Sequence, residues 1–66
     1  MKKIATIIND TENVSFNAMY DKKTGKITYE LEDGTTEDAG ETAANYEEAC
    51  DLIGQAYVGW MKTWND

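Results

Sequence analysis

The chain has 66 residues, with 13 Asp/Glu against 6 Lys, no Arg, His or Pro, and a formal charge of −7. That length holds one small domain, 1-66, and so acidic a balance excludes direct binding to nucleic acid or an anionic membrane, where Lys and Arg supply the affinity. No apolar run approaches the roughly 18 residues of a membrane span. The start, Met1-Lys2-Lys3-Ile4, lacks the pattern of a signal peptide. A single cysteine, Cys50, leaves no intramolecular disulfide, which points to a cytoplasmic protein held by packing alone. With 41% apolar and 11% aromatic residues the chain can build a core, unlike a disordered acidic tail.

Alternation with period 2 predicts the first strands. In Lys2 to Asn9, Ile4, Thr6 and Ile8 share one face and Ala5 and Ile7 the other. In Val14 to Tyr20, Val14, Phe16, Ala18 and Tyr20 form the apolar face. In Ile27 to Glu32, Ile27, Tyr29 and Leu31 form it. Between the last two runs, Asp21-Lys22-Lys23-Thr24-Gly25-Lys26 reads as a four-residue loop with Gly25 left-handed. That loop sets Asp21 opposite Lys26, Tyr20 opposite Ile27, Ala18 opposite Tyr29 and Phe16 opposite Leu31. Turn chemistry and side-chain parity then agree.

Glu32-Asp33-Gly34-Thr35 is a turn signal. Thr35 to Glu41 is polar and reads either as a short fourth strand, at 35–38, or as loop. Beyond it Tyr46, Cys50, Ile53, Tyr57, Trp60 and Trp64 recur at helical spacing, with Ala49 and Ala56 in the same stripe and Glu48, Asp51, Gln55 and Lys62 opposite. Asn45 with Glu48 fits a capping box, and Thr42 is the alternative cap. Gly54 and Gly59 weaken this helix by roughly 1 kcal/mol each relative to Ala. The expected fold is α+β: a three-stranded, or four-stranded, antiparallel meander with one C-terminal helix packed on its apolar face.

Reactive chemistry is scarce. Without His the near-neutral acid–base group is missing, and with it most hydrolase and metal-site arrangements. Cys50 lies in the apolar stripe and reads as a small buried hydrophobe. The glycines are too scattered for a phosphate loop. Oxygen ligands around Gly34 miss the EF-hand spacing, with Tyr29 and Gly40 where acids belong. The expectation is a non-enzymatic protein with no cofactor and no metal.

Charge is distributed unevenly. Between Ile27 and Met61 there is no positive side chain, and the acids of that span are Glu30, Glu32, Asp33, Glu37, Asp38, Glu41, Glu47, Glu48 and Asp51. Asp33 suits a turn, and Glu47 and Glu48 suit the positive end of a helix dipole. Glu30 and Glu32 would oppose Asn17 and Ser15, so no cross-strand lysine neutralises them. Solubility alone is one explanation of such a surface. A partner-binding role has a mechanism: acids two apart on a strand lie about 6.7 Å from each other, and rows of them offer a phosphate-like potential to a basic groove.

A chain of this length that starts Met1-Lys2-Lys3-Ile4 and carries acids from Glu30 to Asp51 resembles the small acidic inhibitors encoded by phages and mobile elements. Anti-CRISPR proteins and other DNA mimics are of this kind. The resemblance implies an inhibitor that occupies the basic surface of a nucleic-acid-binding protein or complex, and it carries no residue motif. The hairpin from Tyr20 to Glu30 is also similar to one in immunoglobulin-binding bacterial domains, which place a hairpin after the helix; a chain that ends in its helix does not fit them. The alternative function is an interaction or assembly module, such as a homodimer, built on Tyr57, Val58, Trp60 and Trp64, since Tyr and Trp are frequent interface anchors.

Overall fold

The period-2 segments all form strands in the computed structural model, which describes residues 1–65. The elements are β1 (Lys2–Asn9), β2 (Val14–Tyr20), β3 (Lys26–Leu31), β4 (Thr36–Thr42), α1 (Tyr46–Ala56) and β5 (Met61–Trp64). Among the described residues they make one antiparallel five-stranded sheet, ordered β4-β3-β2-β1-β5, with the helix across one face. The α+β class holds. The strand count does not: the polar segment from Thr36 is a full fourth strand, and a fifth follows the helix.

The β2–β3 hairpin has the register its turn dictates. Phe16 opposes Leu31, Ala18 opposes Tyr29 and Tyr20 opposes Ile27. Asp21 closes the loop by donating its N–H to Lys26 O at 2.9 Å and accepting from Gly25 N at 2.7 Å. Its carboxylate accepts from Lys23 N at 2.9 Å, and that bond holds the Asp21 pKa below the usual carboxylate range.

Three sequence-based expectations fail here, each for a physical reason. Ile4 does not share a face with Thr6 and Ile8. A β-bulge between Lys3 and Ala5 shifts the register by one and turns Ile4 into the core, beside Ala5 and Ile7. Val14, at the sheet's end, is 42% exposed and lies outside the core.

The helix, expected to continue to Trp64, stops at Ala56. Tyr57 caps it, bonding Ile53 O at 3.2 Å, and Gly59 at φ +87° lets the chain reverse into β5. Strand β5 then pairs with β1, Ala5 against Trp64 and Ile8 against Met61. Lys62 is therefore a strand residue. Its ammonium donates to Tyr57 O at 2.6 Å and Trp60 O at 2.9 Å, supplying the helix C-terminus with the cation its last turn lacks.

At the other end Asn45 is the cap, accepting from Glu48 N at 2.8 Å, while Glu48 reaches back to Ala44 N at 3.3 Å. Thr42 belongs to β4 instead.

The core joins Ile4, Ala5, Ile7, Phe16, Ala18, Tyr20 and Ile27 of the sheet to Ala49 and Ile53 of the helix. Cys50 is half-buried at its border, with a free thiol. Gly54 is not a left-handed position, and a Cβ there would meet only the Trp64 ring, at 3.7 Å. Gly54→Ala is therefore expected to raise stability by about 0.5–1 kcal/mol through helix propensity and a less flexible unfolded chain. A thermal melt checks this, and a lowered midpoint would show that the Trp64 contact is tighter than its distance implies.

Candidate functional site: an electronegative end of the sheet

The meander decides where the charges go. In antiparallel order, the β1–β2 and β3–β4 turns fall at one end of the sheet, and the β2–β3 turn with the start of β1 falls at the other. Lys2, Lys22 and Lys23 meet at the second end, where they line one groove with Asp21, Tyr20 and Tyr46. Lys2 sits 4.1 Å above the Tyr46 ring, and Lys26 begins β3 nearby. The first end carries Glu32 and Asp33 in the β3–β4 turn, Glu30 and Glu37 on the adjoining strands, and Asp10 and Glu12 in the β1–β2 turn. The one lysine in that half, Lys62, is committed to helix carbonyls.

The nine acids singled out in sequence are all exposed but do not form one group. Glu30 points from the uncovered face of the sheet and accepts from Asn17 Nδ2 at 3.1 Å; Asn17 Oδ1 in turn accepts from Thr6 Oγ1 at 2.8 Å. Glu32 does not extend that row, because β3 ends at Leu31 and Glu32 enters the turn. The regular strand spacing that suggested a phosphate-like row is therefore absent.

Asp33 shapes its turn. Thr35 donates to it through its hydroxyl at 2.6 Å and its N–H at 3.0 Å, and these bonds, the hydroxyl's first, lower the Asp33 pKa. Asp38 lies 3.9 Å from Lys26 Nζ in an exposed pair of small energetic value. Glu41 flanks the gap between β4 and the helix, with Tyr29 and Leu52. Glu47 and Glu48 occupy the first helical turn, at the end of the sheet that holds the lysines. Asp51 lies on the opposite flank, in an open groove with Cys50, Gly54 and Trp64.

Polarity thus runs along the strands, not between the two halves of the sequence. Asp10 and Glu12 belong to the electronegative end although they lie far from the lysine-free stretch. The signal that could have found them was the meander itself, which must bring alternate turns together.

The aromatic residues of the C-terminal segment divide as well. Tyr57 and Trp60 fold back onto Phe16, with ring centroids 5.4 and 6.2 Å from it, and Tyr29 completes the cluster at 5.1 Å. Val58 is 78% exposed and Trp64 44%. Burial raises the Tyr29 phenol pKa, and the adjacent Tyr57 hydroxyl adds to the shift. A folded value above the unfolded one, about 10, means that this contribution is intact below that pH and is lost as pH rises beyond it. Unfolding free energy should fall between mildly and strongly alkaline solution, and less steeply in Tyr29→Phe. Parallel profiles in denaturant titrations would contradict the assignment.

No group of three or more metal-ligating side chains is present among the described residues, and no helix is long and apolar enough to cross a membrane. Comparison with protein-family models, curated proteins and solved structures gave no significant match.

Proposed function

We propose that the protein is a non-enzymatic acidic inhibitor that occupies the basic surface of a nucleic-acid-binding partner. The observation that carries this reading is the end-to-end separation of charge. Acids from two turns and their adjoining strands converge at one end, while five of the six lysines begin or flank the strands at the other.

A surface shaped only by solubility has no need to confine its lysines to one end and leave the other to acids. Segregation orients the molecule in the field of a cationic groove and speeds encounter. Glu32 and Glu37 suit this role best: both are exposed, and their carboxylates make no hydrogen bond or ion pair among the described residues.

The test uses the protein as bait at low and at high salt, followed by nucleic-acid binding assays on the captured partner. The expected partner is basic, is released by salt and loses its DNA or RNA in the presence of the protein. The double reversal Glu32→Lys/Glu37→Lys should weaken that inhibition at least tenfold. Capture that survives high salt, or equal inhibition by the reversed protein, would overturn the proposal.

A further inference from the structure

The two edges of the sheet are built differently, and the difference concerns self-recognition. Edge strands expose unpaired N–H and C=O groups, and proteins blunt them with charges and bulges. Strand β4 has both devices: Glu37, Asp38 and Glu41 along it, and a register shift opposite Lys26–Thr28 with Gly40 at φ +76°.

Two copies of a sheet edge related by a twofold axis pair antiparallel with like faces together, so residues of the same parity oppose one another. For β4 that places Glu37 against Glu37, Asp38 against Asp38 or Glu37 against Glu41 in the registers centred on Glu37, Asp38 and Ala39, and the register centred on Gly40 falls on its left-handed break. The first three are repulsive.

Strand β5 has no bulge, and the one charge it carries does not guard its edge. It contains no acid, its pairing with β1 is regular, and Met61 and Trp64 are 59% and 44% exposed. Its single charge, Lys62, is turned back to the helix. The direction of its free groups follows from one bond: Asn65 donates to Ile4 O at 3.0 Å. Alternate residues of an antiparallel ladder share a neighbour. Met61 and Thr63 therefore bond β1 as Asn65 does, and Lys62 and Trp64 direct their N–H and C=O groups away from the sheet.

We infer that β5 pairs with β5 of a second copy of this chain, joining two sheets into one across a twofold axis. Of the two central registers, the compatible one sets Thr63 against Thr63 on the axis and Lys62 against Trp64 on either side. The outward N–H and C=O groups of Lys62 and Trp64 then bond across the interface, and no like charges oppose. Centring on Lys62 instead would oppose two ammonium-bearing chains. The inference stands apart from the inhibitor reading and does not depend on it.

Because each copy carries a charge of −7, the pair should tighten as salt screens their repulsion. Capture of a basic partner responds to salt in the opposite sense. Sedimentation equilibrium from low to high micromolar concentration, at low and high salt, is the test. The expected result is a monomer–dimer equilibrium shifted at least threefold toward dimer by salt.

Thr63→Lys places like charges on the axis and should reduce association at least tenfold, although it lowers the net negative charge and would favour association through bulk charge alone. Glu37→Lys, on the other edge, should associate no less than the parent. A monomeric mass under all conditions, or a Thr63→Lys protein of unchanged circular dichroism that dimerises like the parent, would overturn the inference.

Discussion

Phe16→Ala is expected to leave the chain largely unfolded in water at room temperature. Phe16 is buried where the sheet meets the reversal after the helix, within ring-contact distance of Tyr29, Tyr57 and Trp60. Truncating a buried Phe costs about 3–5 kcal/mol, as lost transfer energy plus the cavity left behind. A core in a domain this small rarely nets more than about 3–5 kcal/mol. The substitution therefore consumes most or all of the stability. It also removes the surface that holds Tyr57 and Trp60, and with it the turn that leads β5 back to β1. Urea unfolding followed by circular dichroism checks this. A cooperative transition displaced by less than about 1 kcal/mol would mean that the aromatic cluster closes over the gap.

Gly25→Ala is expected to cost about 2–3 kcal/mol, from left-handed backbone strain and a steric conflict together. At φ +75° the residue is left-handed, and a Cβ would stand 2.8 Å from the Ala43 carbonyl oxygen. That oxygen cannot move freely. It accepts the Tyr20 hydroxyl at 3.0 Å, while Ala43 N donates to Gly25 O at 2.8 Å. The loop thus pins the passage from β4 into the helix, and displacing it strains both. Gly34→Ala is the control, since Gly34 at φ +89° has open space around it and loses only the conformational component. Equal losses at the two sites, measured by the same denaturant titration, would remove the proposed conflict with Ala43.

Local features were legible in the sequence where several signals coincided. In the β2–β3 hairpin, the Asp21 and Gly25 turn and the apolar parity of both strands demand one register, and that register forms. The segment from Tyr57 to Trp64 defeats spacing, because helical and extended patterns of a short aromatic run are hard to separate by spacing alone. What decides between them is tertiary: Gly59 allows reversal, Phe16 receives Tyr57 and Trp60, and β1 has a second edge to pair. Strand β4 was ambiguous because an exposed edge needs no apolar face. Alternation gives no warning of a bulge, and so it puts Ile4 on the wrong side.

The candidate site followed the same pattern. The lysine-free stretch points to Glu32, Asp33 and Glu37. Asp10 and Glu12 join them only through the order of the turns, and that order places Glu47 and Glu48 at the other end. Charge runs in a sequence become charge surfaces only after topology has sorted them.

The central claim is that the molecule presents one electronegative end. Its most direct test needs no natural partner: amide shifts of the isotope-labelled protein during titration with oligolysine at low ionic strength. Perturbations are predicted to concentrate at Asp10–Glu12 and Glu30–Glu37, to vanish with added salt, and to be weak at Glu47, Glu48 and Asp51. Shifts spread evenly over all the acids, or strongest at the helix N-terminus, would contradict it.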